Sequence, residues 1–284
     1  MSNLLKIWKI CILNFRKWVV SPRVYVVAAL ILLFTNMVIS PIVDLADSVE
    51  ENVTPWLIPF IMSDSYMIIV IFVCAVLLFC DAPFTDEQQP YIIIRSNKIY
   101  WATGQILYII VSGFIFSVFL FISVCINLIG VIDFSTDWGK IIGTLAQTDA
   151  GSQFNSYIFF DYSIMISFSA INATIITLIL VWMISVFIGL LVFFINTYLN
   201  SIIGPIVAFA LVLFQYLLPI IRIDFLYYFS PISWVNLRNI DFKGISFYPS
   251  FEFIIITLSV LIFVLILLVL VSYKKSEIKT QTLM

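Results

Sequence analysis

The sequence predicts an all-α polytopic membrane protein with six transmembrane helices, an N-terminal amphipathic interfacial helix and both termini in the cytoplasm. Three observations predict this fold class. Of the 284 residues, 63% are hydrophobic and 11% are charged, whereas soluble domains carry about 25% charged residues. The apolar runs continue for about 20 residues without alternation, which favours helices over a membrane β-barrel. Basic residues cluster in alternate connections, which sets the orientation.

Residues 1–23 are the first element, a cytoplasmic elbow helix that we expect to lie in the membrane interface. Apolar residues, including Trp8 and Trp18, share one arc of the helix, and the basic residues share the other. The basic residues are Lys6, Lys9, Arg16 and Lys17. A signal peptide is a competing interpretation, against which the spread of the charges argues. A solvated basic tail is another, against which the two tryptophans argue.

The rest of the chain, residues 24–284, is predicted to form one six-helix transmembrane domain. Each apolar run is long enough for a helix to cross about 30 Å of hydrocarbon. The predicted spans are residues 24–43, 60–80, 101–130, 165–195, 202–221 and 251–271. Residues 81–98 form a cytoplasmic segment between the second and third spans. Residues 133–161 and 222–250 are expected as inserts on the outer side.

The distribution of charge predicts the orientation. With both termini inside, ten of the 14 basic residues lie in the cytoplasm, and twelve of the 16 acidic residues lie outside. An excess of lysine and arginine in cytoplasmic connections is the usual bias of membrane proteins. The basic residues left outside are Lys140, Arg222, Arg238 and Lys243.

The composition argues against chemistry on this chain. Histidine, the commonest metal ligand and general base, is absent. The sequence has no Gly-x-Ser-x-Gly elbow and no phosphate-binding Gly-x-x-x-x-Gly-Lys loop. We therefore expect no catalytic residue, no metal site, no bound cofactor and no nucleic-acid partner, so the chain is not predicted to be an enzyme.

The predicted spans contain amides but no ionisable group well inside them. Carriers driven by an ion gradient usually need such a group near the membrane midplane, so this class is disfavoured. The amides are Asn36, Gln105, Asn127, Asn172 and Gln215. They can make hydrogen bonds between helices, worth about 1 kcal/mol each, or contact a substrate, and both interpretations stay open.

The segment 81–98 holds the first group of candidate functional residues. Pro83 suits the first turn of a short helix, and the acidic residues after it suit the positive end of the helix dipole. Pro90 would end or kink that helix. The competing interpretation is a solvated turn. The candidates are Pro83, Phe84, Asp86, Glu87, Pro90, Tyr91 and Arg95.

The loop before the last span holds the second group. Its aromatic residues are typical of the headgroup level of a membrane, and its proline interrupts regular structure. The loop can act as an outer gate that closes an exit path, or it can anchor the chain at the interface. The candidates are Tyr227, Tyr228, Phe229, Pro231 and Trp234.

Together, this layout resembles the permease subunit of ABC exporters of the ABC-2 class. The closest local matches are DAPFTDEQQPYIIIRSNKIYWATGQ, which begins at Asp81, and YYFSPISWVN, which begins at Tyr227. The resemblance implies that the first is the coupling segment that docks on a separate ATPase, and that the second is short re-entrant structure on the outer side. ATP and magnesium would then bind to that partner subunit.

The resemblance also implies a function. The chain would be the permease of an ATP-driven exporter in a bacterial cell membrane, paired with a second copy of itself or a related permease. Its charge-poor spans suit amphipathic or hydrophobic cargo, such as a peptide toxin or bacteriocin, a lipid or a drug. The alternative is a membrane protein without a transport cycle that binds a peptide, confers immunity or acts as a sensor scaffold.

Overall fold

The computed structural model describes residues 3–84, 92–93, 96–148, 151, 154, 157–242, 244 and 246–275. Throughout this part of the chain the regular structure is helical, without a β-strand. Two isolated backbone bridges join Val53 to Ile132 and Asp241 to Ser250. The prediction of an all-α fold is therefore confirmed.

Ten α-helices are found among the described residues, numbered here in chain order. They are α1 (Asn3–Trp18), α2 (Pro22–Val49), α3 (Ile58–Ile61), α4 (Ser65–Phe79), α5 (Lys98–Asn127), α6 (Gly139–Gln147), α7 (Tyr162–Ser167), α8 (Ala170–Tyr198), α9 (Ile203–Ile221) and α10 (Phe251–Lys275). Three 3-10 helices lie between α9 and α10. They are η1 (Asp224–Phe229), η2 (Pro231–Val235) and η3 (Leu237–Asn239).

Five of the described helices, α2, α5, α8, α9 and α10, are long and apolar enough to cross a membrane. α4 is equally apolar but has only 15 residues. At 1.5 Å per residue it is about 22 Å long, which is less than the hydrocarbon thickness of about 30 Å. The chain is therefore a multi-pass membrane protein with five helices of spanning length and one shorter apolar helix.

The run predicted as one span at 60–80 is divided in the structure. The one-turn helix α3 ends at Ile61, and α4 begins only at Ser65. The cause is Asp64, whose Oδ1 accepts hydrogen bonds from the backbone N–H groups of Tyr66 (2.8 Å) and Met67 (3.2 Å). A side chain that caps the first free N–H groups of a helix fixes where that helix begins.

The other predicted spans differ from the helices mainly at their ends. The run at 165–195 holds the end of α7 and most of α8, which are separated at Phe168 by extended backbone. α2 and α10 continue beyond the predicted spans, to Val49 and Lys275. The first insert contains the helix α6, so it is more than a connection.

Helix α8 lies at the centre of the bundle. In its most apolar stretch 61% of the residues are buried, against 33% for α2, 28% for α9 and 22% for α10. It packs against α4, α5, α9 and α10. A helix that is apolar on every side is expected at such a place, because it has no face that needs water.

One end of the bundle, called the basic end here, holds α1, the start of α5 and the turn between α8 and α9. Across this end the Asn196 Nδ2 atom donates to the Ala82 carbonyl (2.8 Å). The hydroxyl groups of Tyr198 and Ser272 lie 2.6 Å apart. The end of α4, the end of α8 and the end of α10 therefore lie together.

The opposite end, called the insert end, is formed by the connections after α2, α5 and α9. Trp138 joins two of them, because its carbonyl accepts from Thr54 Oγ1 (2.8 Å) and its Nε1 donates to the Phe168 carbonyl (3.1 Å). Asn236 Nδ2 donates to the Ser63 carbonyl (2.9 Å) and joins the third. The helices α2, α4, α5, α8, α9 and α10 therefore run alternately between the two ends.

Candidate functional site

The residues that follow α4 contact four different helices within four positions. Asp81 forms an ion pair with Arg23 at the start of α2. Ala82 is fully buried, and its carbonyl accepts the hydrogen bond from Asn196 near the end of α8. Phe84 has a positive φ of 56°. We call residues 81–84 the junction, because the contacts of this short segment hold several helix ends together.

Phe84 connects the junction to α1 and α5. Its ring lies edge-on to the ring of Tyr108, with centroids 4.8 Å apart. Its carbonyl accepts a hydrogen bond from Lys17 Nζ (3.3 Å). Tyr108 is buried and also accepts from Trp18 Nε1 (2.6 Å). A displacement of Phe84 would therefore act on both helices.

Asn196 connects the junction to α9. Its Nδ2 atom donates to the junction, and its Oδ1 atom accepts from the Gly204 backbone N–H (3.0 Å) in the first turn of α9. The Gly204 N–H is one of the first N–H groups of that helix, which have no partner inside it. One amide thus joins the ends of α4 and α8 to the start of α9.

Helix α1 packs along the first turns of α5 rather than lying apart from the bundle. Ile10 sits over Gly104, where a side chain would come within 2.7 Å of the Ile10 Cβ atom. Asn14 Nδ2 donates to Gln105 Oε1 (2.6 Å), and both amides are buried. The helix presents Trp8 and other large apolar residues to the surroundings on the opposite side. It is therefore a part of the bundle that also carries an exposed apolar face.

At the insert end, the loop before α10 is folded into the bundle. Trp234 is 1% exposed, and its Nε1 atom donates to the Tyr227 carbonyl (2.7 Å). Ile232 and Val235 in the same 3-10 helix are fully buried. Non-helical backbone at membrane depth is tolerated when protein surrounds it. The segment η2 meets that condition, since it packs against α8, α9 and α4.

The loop before α10 and the break before α4 are joined by a hydrogen bond, and a side chain of α9 bonds close to the same break. The break leaves the Ser63 carbonyl outside regular helix, and two buried amides bond to carbonyls in the break and in the first turn of α4. Asn236 donates to the Ser63 carbonyl, and Gln215 Nε2 donates to the Ser65 carbonyl (2.8 Å). Buried carbonyls that lack a partner are costly, so these amides stabilise the interruption.

The surroundings of Tyr227 raise the pKa of its phenol above the ordinary value. Burial is the main cause that raises the pKa of its phenol, and the nearby Tyr248 and Asp224 raise it further, whereas Arg238 lowers it. Arg238 itself forms an ion pair with Asp161 (2.7 Å) and lies over the ring of Phe159. The loop before α10 therefore places buried aromatic side chains beside one ion pair.

Clefts open at both ends of the described part of the bundle. The larger, about 470 Å³, lies between α1, Phe84 and the start of α5 at the basic end. The smaller, about 210 Å³, lies at the insert end beside Arg238. Among the described residues, no cluster of three His, Cys, Asp or Glu side chains could hold a metal ion.

The predicted site residues fall into three groups. Pro83 and Phe84 lie in the junction. Asp86, Glu87, Pro90, Tyr91 and Arg95 lie outside the described residues. In the loop before α10, Tyr227 and Trp234 are buried, Tyr228 donates to the Tyr248 carbonyl (3.3 Å), Pro231 begins η2, and Phe229 is 61% exposed. The roles of coupling segment and outer gate stay predictions.

Two residues that join the elements were missed at the sequence level. Asn14 falls on the buried side of α1, and an amide among the apolar positions of an amphipathic helix was the available signal. Asn196 is interpreted from sequence only as the start of a turn. Nothing in its neighbours along the chain indicates that it bonds to Ala82 and Gly204.

Comparison of the chain with protein-family models, curated proteins and solved structures finds no match.

Proposed function

We propose that this chain is the transmembrane permease subunit of an ATP-driven exporter of the ABC-2 kind, with six spans and both termini in the cytoplasm. The single observation that carries the proposal is the junction. A four-residue segment touches α1, α2, α5 and α8, and through Asn196 it reaches α9. A partner that pushes on the connection between α4 and α5 would therefore move most of the bundle at once.

The orientation rests on charge and on the alternation of the helices. The basic end carries Arg23 and Lys98, together with the four basic residues of α1. In a permease oriented by the positive-inside bias, this end faces the cytoplasm. ATP is available there, so an ATPase subunit would meet the junction. The short helix α4 reaches the insert end through α3 and the break, which supports counting it as a span.

In this mechanism, packing contacts and hydrogen bonds transmit a movement from the ATPase to the helices. ATP-driven closure of two ATPase subunits would move the connection between α4 and α5. Phe84 would transmit the movement to α1 and α5, and the Ala82 carbonyl would transmit it to α8. Packed elements respond to such a movement by shifting as rigid bodies rather than by deforming continuously. The helices would then alternate between two arrangements.

The interior of the bundle supports the proposed class of cargo. Among the described residues, every buried polar side chain is an amide or a hydroxyl, and no charged side chain is buried. A path formed by such a surface suits amphipathic or hydrophobic cargo, such as a peptide toxin, a lipid or a drug. It suits ions and sugars poorly, because these need charges or many hydrogen-bond partners to replace water.

Site-specific photo-crosslinking in intact cells tests the proposal. A photoreactive amino acid at Gln88, next to Asp86 and Glu87, is expected to link the chain to a protein that carries a phosphate-binding Gly-x-x-x-x-Gly-Lys loop, identified by mass spectrometry. Asp137, an exposed acidic residue of the insert end, is the control position. A link at Gln88 to an outer protein, or to none, would overturn the proposal and favour a membrane protein without a transport cycle.

A further inference from the structure

The outward faces of the spanning helices are not alike. On α5, α9 and α10 the exposed residues of the apolar stretches are hydrophobic, with one hydroxyl group, Ser259, as the exception. Helix α2 is different. Its exposed stripe contains Asn36 and Ser40 and reaches Asp44 one turn later. On α8 the exposed Asn172 lies near the helix start, whereas the exposed polar groups of α2 lie further along the helix.

Asn36 lies where the surroundings of a single chain would be hydrocarbon. The nearest charged residues of α2 are Arg23 and Asp44. At 1.5 Å per residue, Asn36 is about 20 Å along the helix from the first and about 12 Å from the second. The uncharged stretch between them is as long as the membrane core is thick. On α2, Asn36 therefore lies within the uncharged stretch, and its partner Asn127 is the last residue of α5.

Hydrogen bonds hold the Asn36 side chain at the contact between α2 and α5. Its Nδ2 atom donates to Asn127 Oδ1 (3.0 Å). Asn127 in turn donates to Thr35 Oγ1 (2.9 Å) and to the Ser123 carbonyl (2.8 Å). Within the described chain, the Asn36 Oδ1 atom accepts no hydrogen bond. An exposed acceptor is thus held in place where lipid chains offer no donor.

The exposed residues of α2 also follow the spacing of a helix-pairing seam. Val26, Ala29, Leu33, Asn36 and Ser40 are all exposed and are separated alternately by three and four positions. This is the spacing of the two core positions in a left-handed coiled coil, in which one asparagine in the seam sets register and the number of helices. Any outward face of a helix has this spacing, so the spacing names the residues that a partner helix would meet, and the amide of Asn36 among them is the feature that lipid contact does not require.

We propose that this stripe of α2 packs against the same stripe of a second copy of the chain, with Asn36 bonded to Asn36 of that copy. A carboxamide carries both a donor and an acceptor, so it is self-complementary about a two-fold axis. Amides that hydrogen-bond across helices are a usual means of association in membranes. The inference rests on the proposed two-chain permease, and it names the face on which the two chains meet.

Disulfide cross-linking in native membranes tests whether two chains meet at this stripe of α2. Single cysteines are placed at Leu33, Asn36 and Ser40 in a variant without Cys11, Cys74, Cys80 and Cys125. Single cysteines at Leu213 of α9 and Val264 of α10, which are also exposed, are the controls. Oxidation should give covalent dimers at the three seam positions and not at the controls. Cross-linking at the controls instead, or equally at all five positions, would overturn the proposal.

A second measurement distinguishes contact between Asn36 and a second chain from contact between Asn36 and lipid. In liposomes of phosphatidylethanolamine and phosphatidylglycerol, self-association is measured by energy transfer between labelled chains. Asn36→Leu should weaken it about tenfold, and Asn36→Gln should retain most of it. Unchanged association with a higher melting temperature for Asn36→Leu would mean that Asn36 faces lipid, which overturns the inference. No ATPase is present, so the result is independent of the cross-link at Gln88.

Discussion

At the scale of single residues, carboxamide side chains make several of the hydrogen bonds that join different elements. Gln105, Asn127 and Gln215 each bond to another helix, as one of the two interpretations from sequence expected. Asn172 differs, because it is exposed near the start of α8. A membrane provides little hydrophobic driving force between helices, so packing and such bonds take a larger share of the stability.

The first prediction concerns the buried pair Asn14 and Gln105. Replacing either one by leucine leaves the other amide buried without its 2.6 Å partner, which should cost roughly 1–3 kcal/mol. Replacing both by leucine should cost less than either single change, because no polar group is then left unpaired. The measurement is thermal unfolding of the four variants in detergent. Additive costs would mean that the hydrogen bond contributes nothing.

The second prediction concerns Asn196. Changing it to alanine removes the bonds to the Ala82 carbonyl and the Gly204 N–H. The expected cost is roughly 1–3 kcal/mol, seen as a lower apparent melting temperature. Transport should fall further than stability, since the link between the junction and α9 is lost. Asn172→Ala, an exposed change in the same helix, is the matched control, and equal effects of the two would contradict the role of Asn196.

How much of the site can be predicted from sequence depends on the distance over which a residue acts. Residue type and spacing place Phe84 beside the end of the second span and Trp234 in an aromatic loop. They do not reveal that Trp234 is 1% exposed, because burial depends on α8, which lies far away in the chain. For the same reason Asn196 can be assigned to a turn but not to the junction.

At the scale of elements, the contact between α1 and α5 depends on a small residue. Gly104 lets the two backbones approach, and Ile10 fills the space above it. Small residues at such crossings are usual in membrane proteins. The periodicity of residues 1–23 predicts the helix and its two faces, but not that Ile10, Cys11 and Asn14 would be buried against α5.

The third prediction tests this contact. In Gly104→Ala the new methyl group would lie 2.6 Å from Ile10 Cγ2, and overpacking of this kind costs about 1–3 kcal/mol. Combining it with Ile10→Ala should recover part of the loss, as measured by thermal unfolding and by protease cleavage within α1. Gly143→Ala in α6 is the control, because nothing lies within 4 Å of its added methyl group. It should be neutral or stabilise the helix by up to about 1 kcal/mol.

The interruption before α4 illustrates a limit of reading elements from hydropathy. A continuous apolar run predicts one helix at 60–80, yet Asp64 ends that continuity by capping α4. The cap alone would not hold the break at this depth. Asn236 and Gln215 bond to the carbonyls of Ser63 and Ser65 from distant parts of the chain, and hydropathy carries no information about these contacts.

At the scale of the whole molecule, the alternation of the helices and the positions of the basic residues agree. The membrane class and the helical fold follow from composition and from the length of the apolar runs, which act locally and are therefore readable from sequence. The two ends of the bundle follow from contacts such as those of Tyr198 with Ser272 and of Thr54 with Trp138. The positions of the basic residues in the sequence and the contacts between the helix ends are independent observations.

The last prediction therefore concerns topology, with single cysteines in a variant without the four native ones. Asp137 and Ser201 are both exposed, the first at the insert end and the second at the basic end. In intact cells a membrane-impermeant maleimide should label Asp137→Cys, and it should label Ser201→Cys only after the membrane is permeabilised. Lysine and arginine are enriched on the cytoplasmic side of membrane proteins, so we expect the basic end to face inward if α4 spans. Labelling of both positions from outside would mean that α8 does not cross the membrane. Labelling of Ser201→Cys alone in intact cells would mean that the orientation is the reverse of the proposed one. The junction would then be out of reach of any ATP-consuming partner.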